Sequence, residues 1–350
     1  MRGGVKSLAM VVGVNLALLL VAAIIIEVIF GRWFTSDPID QLSVPRDQQV
    51  KVTAAGLYPG GGSFVYRRDH WGFRGGGVDP ATIEILTLGG STTNQLYLTE
   101  DSTWQAVAAR ALRAAGRPVV IGNAGIDGQS TVGTLTNLRA WLPHVPGLKP
   151  RLILVYTGIN DTAVGGNVVD ELKYSSIHKS IRQKSALMRF GATVSGILQA
   201  QKAKLNHQAI DFAATQWSGT PNGYDWAKAG LEPGTGPYRE RLTAIVRHIQ
   251  ALGSRPVLVT QRRGDYRTTN DKVVGLSMPT DGPNGMDQYL ALSRFNAATL
   301  EVCRETGATC LDLGAELDLG DGDFYDMVHT TPQGAEKIGR WLAERLGGLL

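Results

Sequence analysis

Residues 82–93 read Thr-Ile-Glu-Ile-Leu-Thr-Leu-Gly-Gly-Ser-Thr-Thr. The first seven form a short β-rich run, and Gly89-Gly90 end it. Ser91 follows where a helix would start, so its hydroxyl is exposed and backbone N–H groups without helical partners lie beside it. Such groups can stabilise an oxyanion. The plainer reading of the same residues is an N-cap serine preceded by glycines for a tight turn. The run is not a Gly-x-Ser-x-Gly elbow, and it lacks the lysine of a phosphate-binding loop.

Outward from this stretch, strand and helix patterns alternate. Residues 103–115 carry apolar side chains at helical spacing and stop at Gly116. Residues 118–122 read as a second strand, 131–141 as a helix and 151–156 (RLILVY) as a third strand. An amphipathic helix over 239–252 precedes a strand at 256–260 (PVLVT). A helix over 288–305, a fifth strand at 308–313 and a C-terminal helix over 331–346, with Pro332 in its first turn, complete the pattern. Strands alternating with helices imply a parallel sheet covered on both faces, with its ligand site beyond the carboxyl ends of the strands. Residues 81–350 are therefore expected to form one α/β domain with a five-stranded parallel sheet. A polar stretch at about 161–235 is expected to be a helical insertion near the mouth of the site. Residues 35–80 are rich in Pro, Gly and Asp and read as a linker and surface layer.

Each polar cluster falls directly after a strand. Asn123-Ala124-Gly125-Ile126-Asp127-Gly128 follows the second, and Gly128 could bring a bare N–H to a substrate oxygen. Gly158-Ile159-Asn160-Asp161 follows the third. An asparagine amide is a neutral donor suited to an oxyanion, although an Asx turn explains the same residues alone. Asp326-Met327-Val328-His329 follows the fifth. A carboxylate three residues before a histidine can fix the imidazole in one tautomer, and the imidazole can then accept a serine proton. Singly each cluster is ordinary. In order, they supply a nucleophile, two oxyanion donors, a base and an orienting acid.

These four blocks resemble those of the SGNH, or GDSL, hydrolase superfamily, with Ser91, Gly128, Asn160 and His329 in the block positions and Asp326 as the acid. The first block reads Gly-Gly-Ser-Thr in place of Gly-Asp-Ser. That variant is similar to a set of membrane-anchored bacterial members, which carry a Gly-Phe-Arg-Gly element such as Gly72-Phe73-Arg74-Gly75 before the first strand. The resemblance implies a flavodoxin-like three-layer α/β/α sandwich with strand order 2-1-3-4-5. It also implies a Ser91–His329–Asp326 triad, and an oxyanion hole made by the N–H groups of Ser91 and Gly128 and the amide of Asn160.

The N-terminus carries a different signal. Between residues 8 and 26 the only clearly polar side chain is Asn15. About 19 apolar residues cross a hydrocarbon core as a helix. Glu27, Arg32 and Trp33 follow instead of a small-residue cleavage site, so residues 1–34 read as an uncleaved anchor. Arg2 and Lys6 before the span nearly balance Arg32 and Arg46 after it. The expected arrangement is a bacterial inner-membrane protein with its large domain in the periplasm.

The net charge of +4 on 350 residues comes without blocks of like charge, so no nucleic-acid footprint is present. The two cysteines, Cys303 and Cys310, fit no metal-binding spacing. They are either a disulfide or two small buried core residues. No motif implies a metal or organic cofactor. His70, His144, His178, His207 and His248 lie in no block and read as surface or satisfied residues, and Trp217, Tyr224 and Trp226 as either cap packing or the lining of a carbohydrate or acyl site.

The expected activity is removal of acyl groups, acetyl first among them, from an envelope or exported carbohydrate. The same triad would serve an O-acetyltransferase acting on polysaccharide, or an esterase or thioesterase acting on lipids. A non-enzymatic scaffold would not need every block filled.

Overall fold

The computed structural model describes residues 2–34, 39, 42, 44–163, 181, 184–188, 190–191, 207–227, 234–278 and 282–350. The chain divides into two compact units, one of residues 1–44 with 172–206, the other of residues 45–171 with 207–350.

The first unit holds helix α1 (Arg2–Phe30), of which Met10–Phe30 is long and apolar enough to cross a membrane. Near its end the Glu27 carboxylate accepts hydrogen bonds from the Ser185 hydroxyl (2.6 Å), the Trp33 indole (2.7 Å) and the backbone N–H groups of Ala186 (3.0 Å) and Leu187 (3.1 Å).

The second unit opens with strands β1 (Gln48–Thr53) and β2 (Ser63–Arg68), an antiparallel hairpin within the stretch expected to be linker and surface layer. The hairpin escapes a reading by periodicity because β1 keeps no side chain fully buried. Then come β3 (Ile85–Gly89), the one-turn helix α2 (Ser91–Asn94), α3 (Trp104–Ala114), β4 (Ile121–Asn123), α4 (Thr131–Thr136) and β5 (Leu152–Tyr156). After a short strand β6 (Trp217–Ser218), the chain continues through α5 (Gly236–Ala251), β7 (Arg255–Val259), β8 (Tyr266–Thr269) and β9 (Lys272–Leu276). It ends with α6 (Gly285–Thr306), β10 (Thr309–Leu311), α7 (Leu313–Glu316) and α8 (Pro332–Gly347).

Strands β10-β7-β5-β3-β4 form one parallel sheet in that order. Counted along the chain this is 2-1-3-4-5, the doubly wound arrangement. Every residue of β3 and β5 is buried, because a parallel sheet inside an α/β protein is covered on both faces. Reversal of direction after β4, with right-handed crossovers, puts α3 on one face and α4, α5 and α6 on the other. Accordingly α3 packs on α8, while α4 packs on α5 and α5 on α6. Trp104 and Leu112 of α3 share a core cluster with Ile338, Trp341 and Leu342 of α8. Each such side chain contributes about 1.5–3 kcal/mol on burial.

The caps follow the sequence. Thr103 and Thr331 cap α3 and α8 through their hydroxyls. Asn284 forms a reciprocal capping box with Asp287 on α6, whose far end stops at left-handed Gly307. The backbone of Arg74 bridges Arg68 of the hairpin to Asn123 of β4, so the hairpin covers an edge of the main sheet. A smaller antiparallel sheet of β6, β9 and β8 adds to the expected five strands. Its β8–β9 turn is made by Asn270 and Asp271, both left-handed, as a tight hairpin requires.

The expected helical insertion at 161–235 lies mostly outside the described residues. Of its described residues, 181, 184, 186–188 and 190–191 are helical, whereas 207–227 contain no α-helix. There Asp211 holds a turn by accepting from the N–H groups of Ala213 and Ala214, and the Ser-Gly-Thr-Pro-Asn-Gly run at 218–223 supplies turn residues instead of helix formers. Of the two readings of Cys303 and Cys310, the structure shows the disulfide, which joins the end of α6 to β10.

Candidate active site

The site lies at the carboxyl ends of β3, β4 and β5. Ser91 begins α2, which ends after one turn because Gln95 is left-handed (φ 54°). A Cβ on Gly90 would sit 2.5 Å from Nδ2 of Asn160 and 2.9 Å from the carbonyl of Gln129. Only glycine there lets the second and third loops close on the Ser91 loop.

His329 presents Nε2 to the Ser91 hydroxyl at 2.8 Å. Its other nitrogen, Nδ1, faces Asp326 at 2.8 Å from Oδ2 and 3.0 Å from Oδ1. The carboxylate can only accept, so this network assigns the proton to Nδ1 and leaves a lone pair on Nε2 for the serine proton. Oδ1 of Asp326 also accepts the backbone N–H groups of Val328 (2.8 Å) and His329 (2.7 Å), which folds the Asp-x-x-His turn onto itself. Burial alone would raise the pKa of Asp326. Hydrogen bonds from His207 and His329 outweigh it and hold the carboxyl well below the usual carboxylate range, so it stays ionised.

Of the expected oxyanion donors, Asn160 donates from Nδ2 to the Gln129 carbonyl at 2.8 Å, which places its amide against the residue after Gly128. The other amide hydrogen remains for a ligand. Gly128 lies on an exposed turn with φ 77°, a conformation favouring glycine. That turn is tied to β3 by the bond from Ile126 N–H to the Gly89 carbonyl (3.0 Å). The structure thus joins Ser91, His329 and Asp326 by direct contacts and brings the Asn160 and Gly128 loops to the same strand ends.

Several further residues support these loops. Buried Arg74 donates to the carbonyls of Asn94, Gln95 and Leu98, clamping the chain just after Ser91. Burial lowers its guanidinium to about 10. Arg68 donates to the carbonyl of Gly125 (2.9 Å), and Asn94 spans from the Tyr66 hydroxyl (2.8 Å) to Asp127 (2.7 Å). Gln261, immediately after β7, accepts the Ile159 N–H at 2.7 Å and donates to the Thr92 hydroxyl at 3.0 Å, linking the first and third blocks. The strand-end rule applied to β7 would have found it. Asp161 is fully buried and accepts from the backbone N–H and hydroxyl of Thr131, so it anchors the start of α4.

Among the described residues, His207, Asp326 and His329 are the group of potential metal ligands with atoms closest together, all within 4.8 Å. Their own hydrogen bonds satisfy these atoms, since both imidazoles face the same carboxylate oxygen.

A family model described as GDSL-like Lipase/Acylhydrolase family matches residues 87–337. No curated protein matches the chain. Solved structures with a similar fold include a carbohydrate acetylesterase from Sinorhizobium meliloti, at 11% identity and a TM-score of 0.43 over 77% of this chain and 100% of that one. Another is the aryl esterase of M. smegmatis, at 13% identity and 0.45 over 77% and 100%. A third is a catalytic mutant of an acetylxylan esterase from Geobacillus stearothermophilus, at 14% identity and 0.44 over 75% and 93%.

Proposed function

The chain belongs to the GDSL-like lipase/acylhydrolase family, whose members hydrolyse ester bonds, and from that premise we propose that it is a serine esterase with Ser91 as nucleophile, His329 as general base and Asp326 as the orienting acid. The observation that carries this reading is the continuous chain of contacts from the Ser91 hydroxyl through both nitrogens of His329 to Asp326.

In the first half-reaction Ser91 Oγ attacks the ester carbonyl carbon and its proton passes to Nε2 of His329. The carbonyl oxygen becomes an oxyanion that accepts from the N–H groups of Ser91 and Gly128 and from Nδ2 of Asn160. The ester C–O bond then breaks, and the departing alkoxide takes the proton from His329. In the second half a water gives its proton to His329 while its oxygen attacks the acyl-serine. The carboxylic acid leaves and the proton returns to Ser91. Throughout, Asp326 keeps its charge and offsets that of the imidazolium.

The substrate in this reading is an acylated carbohydrate, with acetyl as the acyl group. The rings beside His329 are those of His207 and Tyr325, with Tyr97 against His207. A polar, aromatic surrounding suits a sugar better than a long alkyl chain. The apolar α1 supports a single-pass anchor in a bacterial inner membrane, with the hydrolase unit on the periplasmic side facing envelope or exported polysaccharide. An O-acetyltransferase would differ only in the second half, where a sugar hydroxyl replaces water.

The test compares full-length protein in detergent with its Ser91→Ala variant on p-nitrophenyl acetate, p-nitrophenyl octanoate and an acetylated polysaccharide. The proposal expects acetate release that is absent from the variant, and added sugar acceptor diverts acetyl from water if the enzyme is a transferase. Preference for octanoate would move the substrate to lipids. A folded wild type that cleaves none of the three would overturn the esterase reading.

A further inference from the structure

His207 lies in no strand-end block, yet it touches the proposed catalytic machinery. Its Nδ1 is 3.1 Å from Oδ2 of Asp326, the same oxygen that faces Nδ1 of His329. Its ring lies 4.4 Å from the His329 ring, centroid to centroid, and 4.7 Å from that of Tyr97. The Ile210 N–H donates to the Tyr325 carbonyl at 2.9 Å, which fastens the His207 segment alongside the Asp-x-x-His turn.

Proton logic fixes the direction of the contact. Asp326 is ionised and can only accept, so Nδ1 of His207 carries a hydrogen and donates. The Tyr325 hydroxyl, also 3.1 Å from Nδ1, cannot then donate to it and shares the same N–H. The carboxylate is thereby pinned at both ends. Oδ1 is held by the two backbone N–H groups of its own turn, and Oδ2 by two imidazoles. Without His207, Oδ2 would keep a single protein donor, and the carboxylate could rotate away from His329.

We propose that His207 is a positioning residue, a second imidazole on the triad carboxylate that fixes the plane of Asp326 and moderates the negative charge His329 meets. This rests on the serine-esterase reading above. The groups facing the two rings are Asp326, Tyr325 and Tyr97, with Tyr58 packed on Tyr325. Asp127 acts electrostatically on Tyr97 and Tyr325, and Arg263 on Asp326. Deleting the His207 donor leaves Oδ2 of Asp326 held by His329 without its second imidazole.

Two substitutions separate positioning from packing. His207→Phe retains a ring against His329 and Tyr97 but removes the donor. His207→Asn loses the ring but keeps an N–H where Nδ1 stood. With full-length protein and p-nitrophenyl acetate, His207→Phe is expected to lower kcat about 10- to 100-fold, the worth of one charge-assisted hydrogen bond, with little change in KM. His207→Asn is expected to stay within a few-fold of wild type in both kcat and KM. A wild-type kcat in His207→Phe, or equal losses of kcat in both variants, would overturn the positioning role. Ser91→Ala, assayed in parallel, separates the two ideas. Activity surviving in Ser91→Ala sinks the serine reading itself, whereas its loss there beside an unaffected His207→Phe sinks only this inference.

Discussion

Asp326→Asn is the substitution whose outcome the geometry constrains most tightly. Oδ1 of Asp326 faces two backbone N–H groups at 2.8 and 2.7 Å, which an NH2 group cannot satisfy. The asparagine carbonyl must take that position, so its NH2 points at Nδ1 of His329, where Oδ2 now stands at 2.8 Å. An NH2 donates, so His329 has to offer a lone pair at Nδ1 and carry its proton on Nε2. That nitrogen then faces the Ser91 hydroxyl as a donor and cannot take its proton. The cost of a wrong tautomer in a Ser-His-Asp triad is about 10⁴-fold in kcat, or about 5.5 kcal/mol at 1.36 kcal/mol per decade. The fold should survive because the two backbone contacts remain, although the interactions of the charged carboxylate with His207 and His329 are lost at a cost in stability. The assay is p-nitrophenyl acetate turnover by full-length protein in detergent, with a thermal melt to show that the variant is folded. A variant that melts cooperatively and keeps more than about a tenth of the wild-type kcat would refute the assignment of Asp326 as the group that sets the tautomer.

Other consequences can be measured with the same protein. Asn160→Ala removes one proposed oxyanion donor and should lower kcat about 100- to 1000-fold with KM nearly unchanged, read from initial rates. Arg74→Ala strips the donor from three buried carbonyls beside the nucleophile turn and should destabilise by about 3 kcal/mol or more, seen as a lower urea midpoint together with a fall in kcat. Because the folded state depresses Asp326, the stability it contributes is fully present above the unfolded carboxyl value near ~4 and fades as pH falls below it. The gap in urea midpoint between wild type and Asp326→Asn should therefore be widest at neutral pH and narrow steadily below about pH 4.

Much of the hydrolase unit is legible in its residues because one physical fact governs it. Strands buried on both faces must be continuously apolar, so β3, β5 and β7 stand out as short runs, and the loops that leave them gather at the same end of the sheet. That rule sets Ser91 and Asn160 near one another, whereas His329 is reached only after β10 and α7. The hairpin of β1 and β2 stays hidden because no side chain of β1 is fully buried and most of its residues are polar. Its importance lies in the Gly-Phe-Arg-Gly element just after it, where Arg74 spends its donors on backbone carbonyls, a partner no sequence pattern reveals. His207 escapes a sequence reading for a related reason. It sits 119 residues before Asp326 in a turn-rich segment, and only the return of that segment against Tyr325 makes it a neighbour. Asn270-Asp271 carries a turn signal, but its flanking strands are too exposed and polar to read as a hairpin.

The central claim is that Ser91 carries the acyl group. The most direct measurement is intact-mass and peptide analysis after reaction with a fluorophosphonate, on full-length wild type, Ser91→Ala and His329→Ala. The account predicts one adduct per chain on the peptide containing Ser91, none in Ser91→Ala, and labelling slowed by orders of magnitude in His329→Ala. Stoichiometric labelling at another residue, or equal labelling in Ser91→Ala, would contradict it.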